Sequence, residues 1–156
     1  MTQPETLGPV ESAVGYVLKQ AAVALRGAMD AVLRPMQLTV PQYSCMELLA
    51  QRPGLSNAEL ARGTFVTRQS MNVVLQGLEE RGLVTRPAKA VKGRELPAAL
   101  TEAGRSLLYA ASAAIRSVNE QMCAGLTSAQ EKALLETLTM LIRNLDPAST
   151  GPDLAQ

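Results

Sequence analysis

A chain of 156 residues, 47% hydrophobic and 19% charged, is long enough to bury a core and too apolar to be natively disordered. Its net charge of +1 excludes a uniformly basic nucleic-acid coat. The absence of histidine removes the commonest general base and zinc ligand, so catalysis and histidine-based metal sensing are both disfavoured.

Residues 1 to 9 hold two prolines and a glycine and read as a frayed end. From Glu11 to Arg34 the residues Val14, Val17, Leu18, Ala21, Leu25, Ala28, Met29 and Val32 recur at helical spacing until Pro35 stops the run, which predicts one long helix. A second helix opens at Thr39, where Thr39 and Gln42 make a T-x-x-Q capping box, and carries Cys45 at a position best read as core. Ser56 and Glu59 form an S-x-x-E box that opens a third, short helix through Arg62.

A fourth helix begins after Thr67, the predicted N-cap, with Val66 and Met71 as a hydrophobic staple. Met71, Val74, Leu75 and Leu78 fall on one stripe that must be buried. The opposite face carries Arg68, Gln69, Asn72 and Gln76, with Ser70 and Val73 beside them. In a major groove, arginine pairs with guanine, glutamine and asparagine pair with adenine, and an apolar side chain such as Val73 meets a thymine methyl. Two short helices in this order, the second displaying base-reading groups, predict a helix-turn-helix.

Past Gly82 the pattern becomes strand (Leu83 to Arg86), basic tip (Lys89, Lys92, Arg94) and strand (Leu96 to Leu100), the layout of a wing. Seven basic and two acidic residues between Arg62 and Arg94 give this stretch a local charge of +5, so the rest of the chain carries −4. A clustered patch is what phosphate binding needs. Two further helices follow, one with Leu107, Leu108, Ala111, Ala114, Ile115, Val118 and Met122, the other capped by Thr127 and Gln130 and bearing Leu134, Leu135, Leu138, Leu141, Ile142 and Leu145. The tail after Asp146 is rich in Pro, Ser, Thr and Gly.

As a set, Leu38 to Tyr43, Ser56 to Ala61, Val66 to Asn72, Leu78 to Val84 and Leu100 to Arg105 resemble the MarR family of bacterial winged-helix regulators over nearly the whole chain. The resemblance implies a mainly α fold with a small β-wing, organised as an N-terminal dimerisation helix (1–34), a winged helix-turn-helix (35–101), C-terminal dimerisation helices (102–147) and a flexible tail (148–156). It implies a cytoplasmic homodimer, probing a pseudopalindromic operator in double-stranded DNA as a repressor, with a small aromatic or phenolic effector, no cofactor, no metal and no membrane. The DNA-binding set is then Thr67, Arg68, Gln69, Ser70, Asn72, Val73 and Gln76 on the helix and Arg86, Lys89, Lys92 and Arg94 on the wing. The apolar stripes of the first and last helices exceed what one small winged helix covers. Interlocking them between two subunits would set the recognition helices about 34 Å apart, one DNA turn.

The chain departs from the family pattern in two places. In the wing motif D-x-R, Lys92 stands where the acid is usual while Arg94 keeps its frame, and Pro97 removes a ladder donor, which an edge strand tolerates. Before the recognition helix, Thr64-Phe65 stands where Leu-Gly is frequent, and phenylalanine suits positive φ poorly. The expectation is that Phe65 folds onto the core through a different turn.

Other readings weigh less. Cys45 and Cys123 lack a basic neighbourhood and read as structural thiols, not oxidant sensors or a disulfide. Gly77 and Gly82 do not make a phosphate loop, and Glu79-Glu80 reads as a solvated face, so the chain is expected not to be an enzyme. The alternative function is a winged-helix module that binds protein, which should lose the polar face around Arg68 that this chain keeps. An effector cleft would fall, by position, near Tyr16, Arg26, Tyr43 and Met46, a composition equally suited to an ordinary core.

Overall fold

The computed structural model describes residues 8–86 and 97–146. The chain falls into two compact units, Met1–Val118 and Asn119–Gln156. After a 3-10 turn at Val10–Ser12 the elements run α1 (Val14–Leu33), α2 (Val40–Gln51), α3 (Asn57–Thr64), α4 (Arg68–Glu80), β1 (Val84–Thr85), β2 (Ala99–Leu100), α5 (Glu102–Met122) and α6 (Ser128–Leu145). The winged-helix order expected from the residues is therefore present, and the described residues are mostly helical with one small two-stranded sheet.

Local chemistry sets the helix starts. Thr39 with Gln42, Ser56 with Glu59 and Thr127 with Gln130 each close a reciprocal capping box, satisfying two backbone donors that a helix otherwise leaves open. Pro35 lies in a 3-10 turn directly after α1, as its missing N–H requires. β1 and β2 pair antiparallel with Val84 opposite Leu100 and Thr85 opposite Ala99, so the described ladder is two residues long and Pro97 precedes it.

The core of the first unit is built from one face of each helix. Leu33, Met46, Leu60, Met71, Leu75 and Leu78 are all fully buried, and Val84, Leu108 and Ile115 close around them. Gly104 lets α5 approach the wing. A Cβ there would lie 3.0 Å from the Leu83 carbonyl carbon and closer still to its oxygen. Thr101 ties the same junction: its N–H donates to Leu83 O (3.0 Å), its hydroxyl donates to Gly82 O (2.6 Å), and Gly104 N–H donates to Thr101 Oγ1 (3.0 Å).

Two helices keep apolar faces that their own unit leaves uncovered. In α1 only Leu33 is fully buried, Met29 and Val32 are partly buried against the core, and Val14, Val17, Leu18 and Val23 are exposed. In α6 no residue is buried, and Leu135, Ile142 and Leu145 are 67, 67 and 84% exposed. Exposure on this scale marks a surface awaiting a partner.

Candidate nucleic-acid interface

The interface is built on α3, the turn after it, and α4. Thr67 takes the N-cap position and accepts the Ser70 N–H through Oγ1 (3.1 Å), and its hydroxyl lies 3.0 Å from Ser70 Oγ. Met71, Leu75 and Leu78 are buried, so the 3.6-residue period turns Arg68, Gln69, Ser70, Asn72, Val73 and Gln76 outward, and all six are exposed. No acidic residue stands in the first turn of α4, which leaves the positive end of the helix dipole uncompensated and receptive to an anion.

Besides Thr67 and Ser70, internal bonds constrain Asn72, Gln76 and Arg86, all predicted to meet DNA. Asn72 Oδ1 accepts from Asn57 Nδ2 of α3 at 2.8 Å, so one of its two acceptor lone pairs is taken while that bond holds. A bidentate contact to adenine needs both a donor and an acceptor. Gln76 Nε2 donates to Glu80 Oε1 at 3.4 Å. Arg86, just past β1, is paired with Glu79 (Nε to Oε2, 2.9 Å) and is partly buried. The other wing residues singled out in the sequence, Lys89, Lys92 and Arg94, lie outside the described residues.

Phe65 does not fold onto the core: it is 94% exposed. It occupies the left-handed region (φ 60, ψ 38) at the end of α3, where its N–H donates to Arg62 O (3.3 Å) and the Val66 N–H donates to Ala61 O (3.0 Å). This crossed pair of bonds is a Schellman turn. The turn keeps the conformation a glycine would adopt, and in that conformation the side chain projects away from the protein.

Residues whose partners lie far along the chain complete the support. Besides Asn57, Arg81 at the end of α4 donates to Gln37 O (2.6 Å) and Met36 O (3.2 Å), so one basic residue of the +5 stretch is committed to holding α4 against the α1–α2 connection. Between α2 and α5, Ser112 Oγ donates to Glu47 Oε2 (2.7 Å) beside Tyr43. Burial there pushes the Tyr43 phenol above its ordinary value, opposed by a hydrogen bond with Ser112. Of the residues proposed by position for an effector cleft, Tyr43 and Met46 are buried in the core, while Tyr16 and Arg26 are exposed on α1. Cys45 is fully buried, and desolvation pushes its thiol up to about 12. Among the described residues no cluster of three metal-ligating side chains occurs, and no helix is long and apolar enough to cross a membrane.

The MarR family model matches residues 36–95. The HTH-type transcriptional repressor Rv2887 of Mycobacterium tuberculosis is 43% identical over 131 residues, covering 84% of this chain and 94% of its own length. Crystal structures of Rv2887 are similar in fold. The complex with DNA has a TM-score of 0.70 at 41% identity, covering 83% of this chain and 98% of that one. The complex with salicylic acid has a TM-score of 0.69 at 43% identity, covering 83% and 96%.

Proposed function

Because this chain belongs to the MarR family of transcriptional regulators, we propose that it is a sequence-specific DNA-binding repressor that acts in the cytoplasm as a homodimer, without catalysis, and leaves a pseudopalindromic operator when a small aromatic or phenolic molecule binds. The observation that carries this reading is the outer face of α4, where Arg68, Gln69, Ser70 and Asn72 stand exposed at a helix N-terminus free of acidic residues. Arg68 and Gln69 read base edges, Val73 supplies apolar contact, and Thr67, Ser70 and Gln76 bond to phosphates or bases nearby. Asn72, oriented by Asn57, presents its amide to a base edge. Arg86, Lys89, Lys92 and Arg94 contribute backbone contacts from the wing.

Residues 35–101 form the reader, and the helices within 1–34 and 102–147 join two copies through the apolar faces of α1 and α6. The effector assignment is supported by the Rv2887 complex with salicylic acid. A ligand releases DNA only by favouring a dimer whose reading heads no longer fit the operator, so its affinity must differ between the two arrangements.

The test is competitive binding to a duplex enriched by this protein from a random-sequence pool, against an unrelated duplex, at two salt concentrations. Arg68→Ala should lower discrimination by about 1–3 kcal/mol, the worth of one bidentate base contact. Equal weakening on both duplexes would assign Arg68 to the phosphates. Salicylate should lower affinity for the enriched duplex, and no effect of it or of related phenols would remove the effector from the proposal.

A further inference from the structure

We propose that the Phe65 ring is itself a DNA-reading group, packing on a thymine 5-methyl in the major groove next to the bases reached by Arg68 and Gln69. The inference rests on the DNA-binding reading above and adds a specificity residue to it.

Three observations carry it. The same Schellman turn ends both α3 and α4. At the end of α4 the left-handed position is Gly82 (φ 70), with Gly82 N–H to Glu79 O and Leu83 N–H to Leu78 O both at 2.9 Å. At the end of α3 that position holds Phe65. Glycine adopts this conformation freely, whereas a side chain there meets its own backbone. The ring does not offset that cost by burial, since it is 94% exposed. An observed backbone outlier with an exposed aromatic is the direction from which a functional role is properly argued.

Position decides what the ring meets. Phe65 lies three residues before Arg68, a span of at most about 11 Å of chain, at the end of the recognition helix that enters the groove. Its flanking charged residues are Arg62 and Arg68, both exposed, and no acidic residue occurs from Leu60 to Leu78. An apolar ring between guanidiniums suits a polyanion carrying methyl groups, and phenylalanine is among the side chains that contact the thymine methyl.

The experiment uses the full-length protein and a duplex enriched by it from a random-sequence pool, with each thymine replaced in turn by deoxyuridine, which removes only the methyl. One position per half-site should weaken wild-type binding about fourfold, the effect of one buried methyl group. Phe65→Gly should bind the thymine duplex more weakly than wild type and be indifferent to that uracil, with dimer mass maintained and a melting temperature no lower than wild type. Phe65→Asn, which also tolerates the turn, should repeat the result. Wild-type affinity in Phe65→Gly, or an equal uracil effect in both proteins, would overturn the proposal. If Arg68→Ala loses discrimination while Phe65→Gly keeps it, the ring proposal fails and the DNA reading stands. A pool that yields no enriched sequence removes both, and a changed oligomeric mass with DNA binding intact would move the ring to a protein contact and overturn it.

Discussion

Replacing Gly104 by alanine sets two effects of opposite sign against each other. Gly104 is the third residue of α5, and alanine in a helix is favoured over glycine by about 1 kcal/mol. Here, however, the added methyl would sit 3.0 Å from the Leu83 carbonyl carbon, inside contact distance of the Leu83 oxygen, and 3.3 Å from Leu100 Cδ2. Two of these three atoms are backbone and have no rotamer to escape into. Overpacking of this kind costs about 1–3 kcal/mol. Moving the strand away also stretches the Thr101 N–H to Leu83 O bond, for about another 1 kcal/mol. The net expectation is destabilisation by about 1–3 kcal/mol. Urea unfolding followed by circular dichroism, at fixed protein concentration because dimerisation contributes to stability, measures it. Gly77→Ala in α4 is the internal control, because its one close neighbour among the described residues is the Gln42 side-chain amide at 3.4 Å, an ordinary contact, and it should gain about 0.5–1 kcal/mol. Should Gly104→Ala prove as stable as wild type, the close approach of α5 to β1 would be wrong.

Three further outcomes are expected. Cys45 should resist a thiol reagent in the native protein and react on unfolding; because its folded value of about 12 exceeds its ordinary value near 9, its contribution is full below pH 9 and is lost as pH rises from there through 12, so Cys45→Ala should flatten the alkaline limb of the stability profile. Glu59 shifts the other way, its carboxylate held below the ordinary value first by the Ser56 backbone N–H, so its contribution is present above the unfolded value and lost as pH falls through the folded one, and Glu59→Gln should flatten the acid limb of thermal melts recorded against pH. Leu135→Glu combined with Ile142→Glu should convert dimer to monomer in sedimentation velocity, and a dimer unchanged at micromolar concentration would take α6 out of the interface.

What the residues disclosed in advance was local. The capping boxes at Thr39, Ser56 and Thr127 and the N-cap at Thr67 depend on neighbours three positions apart, and the buried stripe of α4 depends on period alone, so each is readable without a fold. The bonds from Asn57 to Asn72 and from Arg81 to Gln37 join residues 15 and 44 positions apart, and no motif announces them. Net charge likewise does not disclose that Arg81 donates to two carbonyls and that Arg86 pairs with Glu79. Phe65 departs from the rule that a bulky side chain avoids positive φ. The turn geometry prevailed over hydrophobicity because the two crossed backbone bonds fix where Cβ points before burial can choose.

These tertiary bonds bear on how a repressor of this build lets go of DNA. α4 is held at its start by the Thr67 cap and the Asn57 bridge, and at its end by Gly82, Arg81 and the Glu79–Arg86 pair. Bonds from a charged donor such as Arg81 contribute about 1.5–3 kcal/mol each, so bending or fraying the reading helix would require breaking several of them together. A ligand shifts an equilibrium only by its differential affinity, and a moderate effector reaches more with less if the moving parts are already loosely held. The exposed apolar faces of α1 and α6 offer such parts, since sliding one apolar surface on another trades contacts of similar worth. The economical release mechanism therefore keeps each reading head rigid and changes the spacing between the two. With Arg68 reading a base in each of two half-sites one turn apart, as proposed, a displacement of a few ångströms at the dimer contact suffices to put the second Arg68 out of register.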